Sequence, residues 1–162
     1  MNNDTILFDE SNKNNNWFTV NDTVMGGISS SKSLITEKGN LIFFGDVSIE
    51  NNGGFTMIKM PLNIDFSDKN SQLIIKLKGD GKKYQFRIKS KIDQKYWYIQ
   101  SFQTQKEIEE ITLNLLDFYP SFRGCKLNKE NFSGNTIKEI AIFIGNKKNE
   151  KFALEIEKIY IK

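Results

Sequence analysis

The sequence predicts an all-β protein, two antiparallel sheets packed face to face as a jelly-roll β-sandwich, ahead of a closed barrel. Three observations carry this. Apolar residues recur with a period of two along almost the whole chain, and no stretch of ten or more residues shows a capped 3.6-residue period. The alternating runs are rich in β-branched and aromatic residues and are separated by Gly/Asn turn chemistry. A length of 162 residues suits one domain over residues 1–162, long enough to bury a self-sufficient core.

The strands are expected in order as follows. Thr5 to Phe8, Trp17 to Val20 and Ser33 to Thr36 are short candidates. Leu41 to Ile49 and Phe55 to Met60 follow, divided by the turn Asn51-Asn52-Gly53-Gly54. Leu73 to Lys78 and Lys83 to Lys89 are joined by Gly79-Asp80-Gly81, which reads as a tight hairpin because glycine accepts positive φ. In the second of these, Tyr84, Phe86 and Ile88 alternate strictly with charged and polar residues. Tyr96 to Phe102 and Ile111 to Leu115 come next; Glu107 to Ile111 could form a turn of helix, yet it runs directly into the strand pattern of the latter. Ile137 to Ile144 and Phe152 to Ile161 complete the set, separated by Lys147 to Glu150. In the last run Phe152, Leu154 and Ile156 share one parity and Ile159 and Ile161 the other. A β-bulge near Glu157-Lys158 restores one inward face.

Absences exclude much chemistry. With no histidine and one cysteine, Cys125, there is no Ser-His-Asp or Cys-His arrangement, no Cys/His zinc site and no disulfide within the chain. The net charge is +3, yet only Arg87 and Arg123 of the 23 basic residues are arginines, and the lysines are interleaved with acids. That is a poor kit for nucleic acid, and none is expected as a partner. No apolar run reaches the ~18–20 residues of a membrane span, and Met1 to Thr5 is no signal peptide, so a cytoplasmic location is expected.

Gly26-Gly27 and Gly79-Asp80-Gly81 lack the strand-before, helix-after context of a phosphate loop and read as turns. Asp22, Asp46, Glu50 and Asp117 lie beside turns, where acids are solvated or bonded to backbone amides; an enzyme using carboxylates would need an acid pair within ~5–10 Å facing a pocket, and no catalytic residue is assigned. No cofactor is assigned. Oxygen ligands favour calcium over a transition metal, and Asp9 and Glu10 could meet Glu155 and Glu157 if the terminal strands pair.

Tyr96 to Gln103 places aromatics on both faces of one strand, and both cannot be core. Aromatic rings beside amides suit a sugar or peptide groove; the other reading is that a loop covers the second face. The sugar reading uses Arg87, Tyr96, Tyr98 and Gln100 on a concave, aromatic- and Gln-lined sheet face, with an oligosaccharide as partner.

Trp17, followed by Val20-Asn21-Asp22-Thr23-Val24-Met25-Gly26-Gly27-Ile28-Ser29-Ser30-Ser31, resembles the signature of the complex I intermediate-associated protein 30 family. The resemblance continues through Phe44-Gly45-Asp46-Val47-Ser48, Asn51-Asn52-Gly53-Gly54-Phe55, Gly79-Asp80-Gly81 with Tyr84, Phe118-Tyr119-Pro120 with Phe122-Arg123-Gly124, and Phe152-Ala153-Leu154-Glu155-Ile156. It implies a galactose-binding-like sandwich related to family 11 carbohydrate-binding modules. It also implies a non-enzymatic role resembling that of the mitochondrial members, which assist assembly of respiratory complex I. On this reading the chain is a binding or chaperone-like module for a protein partner such as an assembly intermediate. Its candidate loops carry Asn21, Asp22, Met25, Gly26, Gly27, Ser29, Asn52, Gly53 and Gly54, joined by Arg123 and Gly124 if all converge at one end of the sandwich. The alternative is that these residues only lock their loops. A binding role predicts that Asn21→Ala or Asp22→Ala spoils partner capture and leaves the melting temperature nearly unchanged.

Overall fold

The computed structural model describes residues 4–11, 16–67 and 69–162, apart from the side chains of Val24 and Met25. The described residues form thirteen strands: β1 (Thr5–Phe8), β2 (Phe18–Asn21), β3 (Ser30–Ile35), β4 (Leu41–Val47), β5 (Thr56–Asp65), β6 (Gln72–Lys78), β7 (Lys83–Lys89), β8 (Trp97–Gln103), β9 (Ile108–Asn114), β10 (Tyr119–Phe122), β11 (Cys125–Lys126), β12 (Thr136–Ile144) and β13 (Glu150–Ile161). One sheet runs β3-β4-β13-β6-β9, with β1 also paired to β13. The other runs β11-β10-β8-β7-β12-β5-β2. Every pairing is antiparallel.

The two-residue rhythm decides which side chains meet between the sheets. Leu73, Ile75 and Leu77 of β6 and Phe152, Leu154 and Ile156 of β13 face Tyr84, Phe86 and Ile88 of β7 and Ile140, Ile142 and Ile144 of β12, forming one buried cluster. Aromatic pairs tie the layers edge-on, as in Tyr84 on Phe152 and Phe86 on Phe118. The β13 pairing slips between Ile156 and Lys158, so the expected bulge returns Ile159 and Ile161 to the core. Pro61 is accommodated within β5 because β2 pairs only with Thr56–Lys59, and among the described residues the β5 edge beyond them has no partner strand.

One alternative is decided and two expectations are corrected. Of the two readings of Glu107 to Ile111, a turn of helix or the start of a strand, the strand is realised: Ile108 to Ile111 belong to β9, where Glu110 stands opposite Lys76 and Ile111 opposite Ile75. Gly79-Asp80-Gly81 does not close a hairpin, because β6 and β7 belong to different sheets. It is a corner, in which Asp80 accepts from Lys82 N, Ala153 N and the Tyr84 hydroxyl. Phe118 to Cys125, left outside the expected strands, supplies β10 and β11. Their link, Arg123-Gly124, has φ of +50° and +82°, the two positive values of a type I′ turn. Among the described residues no helix is long and apolar enough to cross a membrane.

Candidate functional site

At one end of the sandwich the chain crosses twice between the sheets, from β2 to β3 and from β4 to β5. Asp22 sits between these crossings, 0% exposed. Its carboxylate accepts from Ser29 N (3.0 Å), Ser29 Oγ, Gly54 N (2.6 Å) and Phe55 N (3.2 Å). Ser29 Oγ in turn accepts from Ser48 N at 2.9 Å. Beside it, Asn21 Oδ1 accepts from the hydroxyls of Ser31 and Thr56.

The glycine pairs divide two tasks. Gly26 and Gly54 adopt φ of +88° and +131°, which side chains disfavour. Gly27 and Gly53 instead make room: a Cβ on Gly27 would lie 2.3 Å from Asp22 Cγ, and one on Gly53 would lie 2.5 Å from Asp22 Oδ2. Asp22 therefore fastens two crossings, and the signature spells out its seat. Met25 belongs to the 3₁₀ turn Asp22–Met25, but its side chain lies outside what is described. Turned outward from this end are Ile28 and Ile49, 53% and 47% exposed, with Asn52.

Burial alone would raise the Asp22 carboxyl, but the bonds from Ser29, Gly54 and Phe55 outweigh it and hold it below the ordinary value of 3.8. The folded state thus binds this proton less readily than the unfolded chain. The stability it contributes is full above the ordinary value and disappears as pH falls through the lowered one. Melts across acid pH should show the stability gap between the native chain and Asp22→Asn narrowing below about pH 4. A gap that stays constant to the lowest pH refutes the ionised lock.

Arg123 and Gly124 do not join these loops. Their turn lies on β10–β11, at the opposite edge of the seven-stranded sheet from β2. Five strand spacings of ~4.8 Å put them roughly 24 Å away across the sheet. Arg123 instead lies over the Phe122 ring at 5.2 Å.

The four residues of the sugar reading are not on one face either. Arg87 is paired with Ile99 and Ala141, whereas Gln100 and Tyr98 are paired with Phe86 and Ile88 of the core side. Gln100 donates to Asn114 O at 3.0 Å. Tyr98 packs edge-on against Phe132, and Lys129 lies over Tyr96 at 5.5 Å, so the segment around 129–132 covers the Tyr96/Tyr98 side. The loop-covered reading holds there.

The opposite side of that sheet faces away from the core and carries the rest of the strand's aromatic content. Trp97, Tyr119 and Phe143 stand on it, each beneath a cation: Lys89 at 4.4 Å, Lys126 at 5.6 Å and Arg87 at 3.8 Å from the ring centres. Gln85 Oε1 accepts from Arg87 Nε and Nη2 at 3.1 and 2.8 Å, and Phe55 stacks on Phe143 at 5.4 Å. On the adjoining strands Arg87 is flanked by Ile99 and Ala141, both buried. Burial pulls Arg87 down to about 10, against a partly opposing effect of Tyr119, so it stays charged at neutral pH. Lys89 is lowered by burial too, and Glu139, 3.7 Å away, counters this. Strict alternation in β7 already set Gln85, Arg87 and Lys89 opposite Phe86, and that was the available signal for this face.

Of the calcium candidates, Glu10, Glu155 and Glu157 line one hollow of about 420 Å³ together with Lys38 and Lys78. Asp9 instead accepts from Ser11, Glu155 from Asn40, and Glu157 pairs with Lys76. Among the described residues no group of three metal-type ligands gathers.

An antiparallel jelly-roll of two sheets, with its loops locked at one end and a polar-aromatic outer face, places the chain among the galactose-binding-like sandwiches. It is similar to the family 11 carbohydrate-binding module of the cellulosomal cellulase Lic26A-Cel5E of Clostridium thermocellum, at 16% identity and a TM-score of 0.72, covering 98% of this chain and 93% of that one. A family 11 module of the same organism in complex with a β-1,3-1,4-mixed-linked tetrasaccharide gives 17% and 0.68, covering 98% and 94%. An agarase gives 13% and 0.68, covering 99% of this chain and 24% of that one. The model of the complex I intermediate-associated protein 30 family matches residues 6–156, and the chain belongs to that family. No curated protein matches it in sequence.

Proposed function

We propose that the chain is a non-catalytic binding module that holds a protein partner on the outer face of its seven-stranded sheet, as an assembly factor for respiratory complex I would. The observation that carries this is the placement of Trp97, Tyr119 and Phe143 on the side of the sheet that core packing does not use. Aromatic and cationic side chains on a rigid strand scaffold are what interface centres are built from. The family supports an assembly role.

The test is affinity capture from the native host with the tagged chain and with Trp97→Ala/Tyr119→Ala. The expected result is a defined partner set, including complex I subunits, that the double variant loses while its melting temperature shifts by no more than about 5 °C. No specific partner, or capture undiminished in the variant, would count against the module.

A carbohydrate-binding role is the second reading, favoured by the solved neighbour that holds a tetrasaccharide. Sugar rings stack on bare aromatic faces, however, and here each ring is met by a cation. A glycan array of neutral β-glucans is therefore expected to stay silent; saturable binding to any of them would favour the sugar reading.

A further inference from the structure

The outer face is unevenly charged. Strand register places Lys59, Lys83, Arg87, Lys89, Lys126 and Lys138 on it, against Glu139 and Asp65. Glu139 is shared, 3.7 Å from Lys89 and 4.0 Å from Lys59. Asp65 accepts from Thr136 at the rim. Arg87, at the centre, is different. Among the described residues it has no carboxylate within ion-pair distance, and its one hydrogen-bond acceptor is the neutral Gln85.

This is an unusual way to hold a guanidinium. Phe143 supports one face at 3.8 Å, Gln85 accepts from Nε and Nη2, the buried Ile99 and Ala141 flank it on the adjoining strands, and the site is partly desolvated. Partly desolvated charge that nothing neutralises is costly in the free protein and favourable once an anion arrives. Arginine's fork, fixed beforehand by stacking, fits a carboxylate with two parallel bonds. A hollow of about 120 Å³ is lined by Gln85 and Phe143, the two partners of Arg87, together with Ser101 and Asn146.

Resting on the docking role proposed above, we infer that the partner segment is acidic: an Asp/Glu-rich stretch of polypeptide whose central carboxylate is clamped by Arg87, with Lys89 and Lys59 neutralising its neighbours. The cations that cover Trp97 and Phe143 disfavour a neutral ligand and suit an anionic one.

The test uses a twelve-residue peptide of alternating Glu and Ser, its Gln-for-Glu counterpart, polygalacturonate and mixed-linkage β-glucan, each titrated calorimetrically against the full chain. The Glu peptide is expected to bind and to weaken at least ~10-fold from about 50 to 300 mM salt, with the Gln peptide silent. Arg87→Lys keeps the charge and loses the fork, so a ~10-fold or greater loss there separates clamping from general attraction to a basic surface. If Arg87→Lys does not fold, as judged by its melting curve, Lys89→Gln is expected to lower the salt dependence and the affinity together. Silence of the Glu peptide, equal binding to native chain and Arg87→Lys, or binding to polygalacturonate without the peptide overturns the inference. Affinity capture tells the two failures apart. A partner lost in Trp97→Ala/Tyr119→Ala but retained in Arg87→Lys leaves the module standing and removes the acidic clamp.

Discussion

Asp22→Ala is expected to lower the stability of the sandwich by about 4 kcal/mol, about 10 °C in melting temperature for a chain of this size. Four groups from three residues of two different crossings, the backbone N–H and hydroxyl of Ser29 and the backbone N–H groups of Gly54 and Phe55, bond to this one buried carboxylate. Bonds to a charged acceptor are worth ~1.5–3 kcal/mol each, and donors left buried without one retain the desolvation cost; water entering the gap would offset part of it. Of the two readings of the signature, the binding role predicts an almost unaltered melting temperature and the loop-locking role a large loss; the complete burial of Asp22 favours the second. Thermal or urea unfolding decides it. A loss below ~1 kcal/mol would mean that the crossings are fastened by something other than this carboxylate.

Gly27→Ala should cost about 2–4 kcal/mol for a steric reason alone. The new methyl carbon would lie 2.3 Å from Asp22 Cγ and 2.4 Å from Oδ1, and a carboxylate held by several donors cannot swing aside cheaply. Gly26→Ala is the contrast: nothing lies closer than 3.8 Å, and its cost of about 1 kcal/mol comes from φ of +88°. In a double-mutant cycle with Asp22→Ala, the Gly27 change should become cheaper by ~1–2 kcal/mol, because the two nearest atoms, Asp22 Cγ and Oδ1, are removed while Cβ stays at 2.9 Å, whereas the Gly26 change should simply add. Additivity at Gly27 would show that the short approach to Asp22 is not what selects glycine there.

The sheets were legible because alternation survives in a single sequence. Lys83 to Lys89 is a strand with the bounds its pattern predicts, and the parity change between Ile156 and Ile159 announced the bulge. What pattern could not supply was the destination of each strand. Gly79-Asp80-Gly81 has hairpin chemistry, yet turn residues specify only local φ, and the next strand joins the other sheet. Ile108 and Ile111 mimic helical spacing over too short a stretch to arbitrate. Pro120 obscured β10. At the site, the resemblance located the signature, but Asp22 meets Gly54 and Phe55 across 32 and 33 residues, a relation no spacing rule contains. Tyr98 and Arg87 could be assigned to opposite faces only once the register of Ile88 with Tyr98 and of Arg87 with Ile99 was known.

The position of β13 has a consequence for biosynthesis. Residues 150–161 lie in the middle of their sheet, between β4 and β6, with β1 added alongside. Among the described residues no earlier pairing joins β4 to β6, so on the ribosome the two halves of that layer have nothing to bridge them until β13 emerges. Up to that moment Leu41, Phe43, Leu73 and Ile75 lack their central neighbour, and the edges of β4 and β6 are open to other nascent chains. Closure is therefore late and cooperative, and a chain stopped short of Glu150 would leave the ribosome without an assembled layer, a substrate for holdases and proteases.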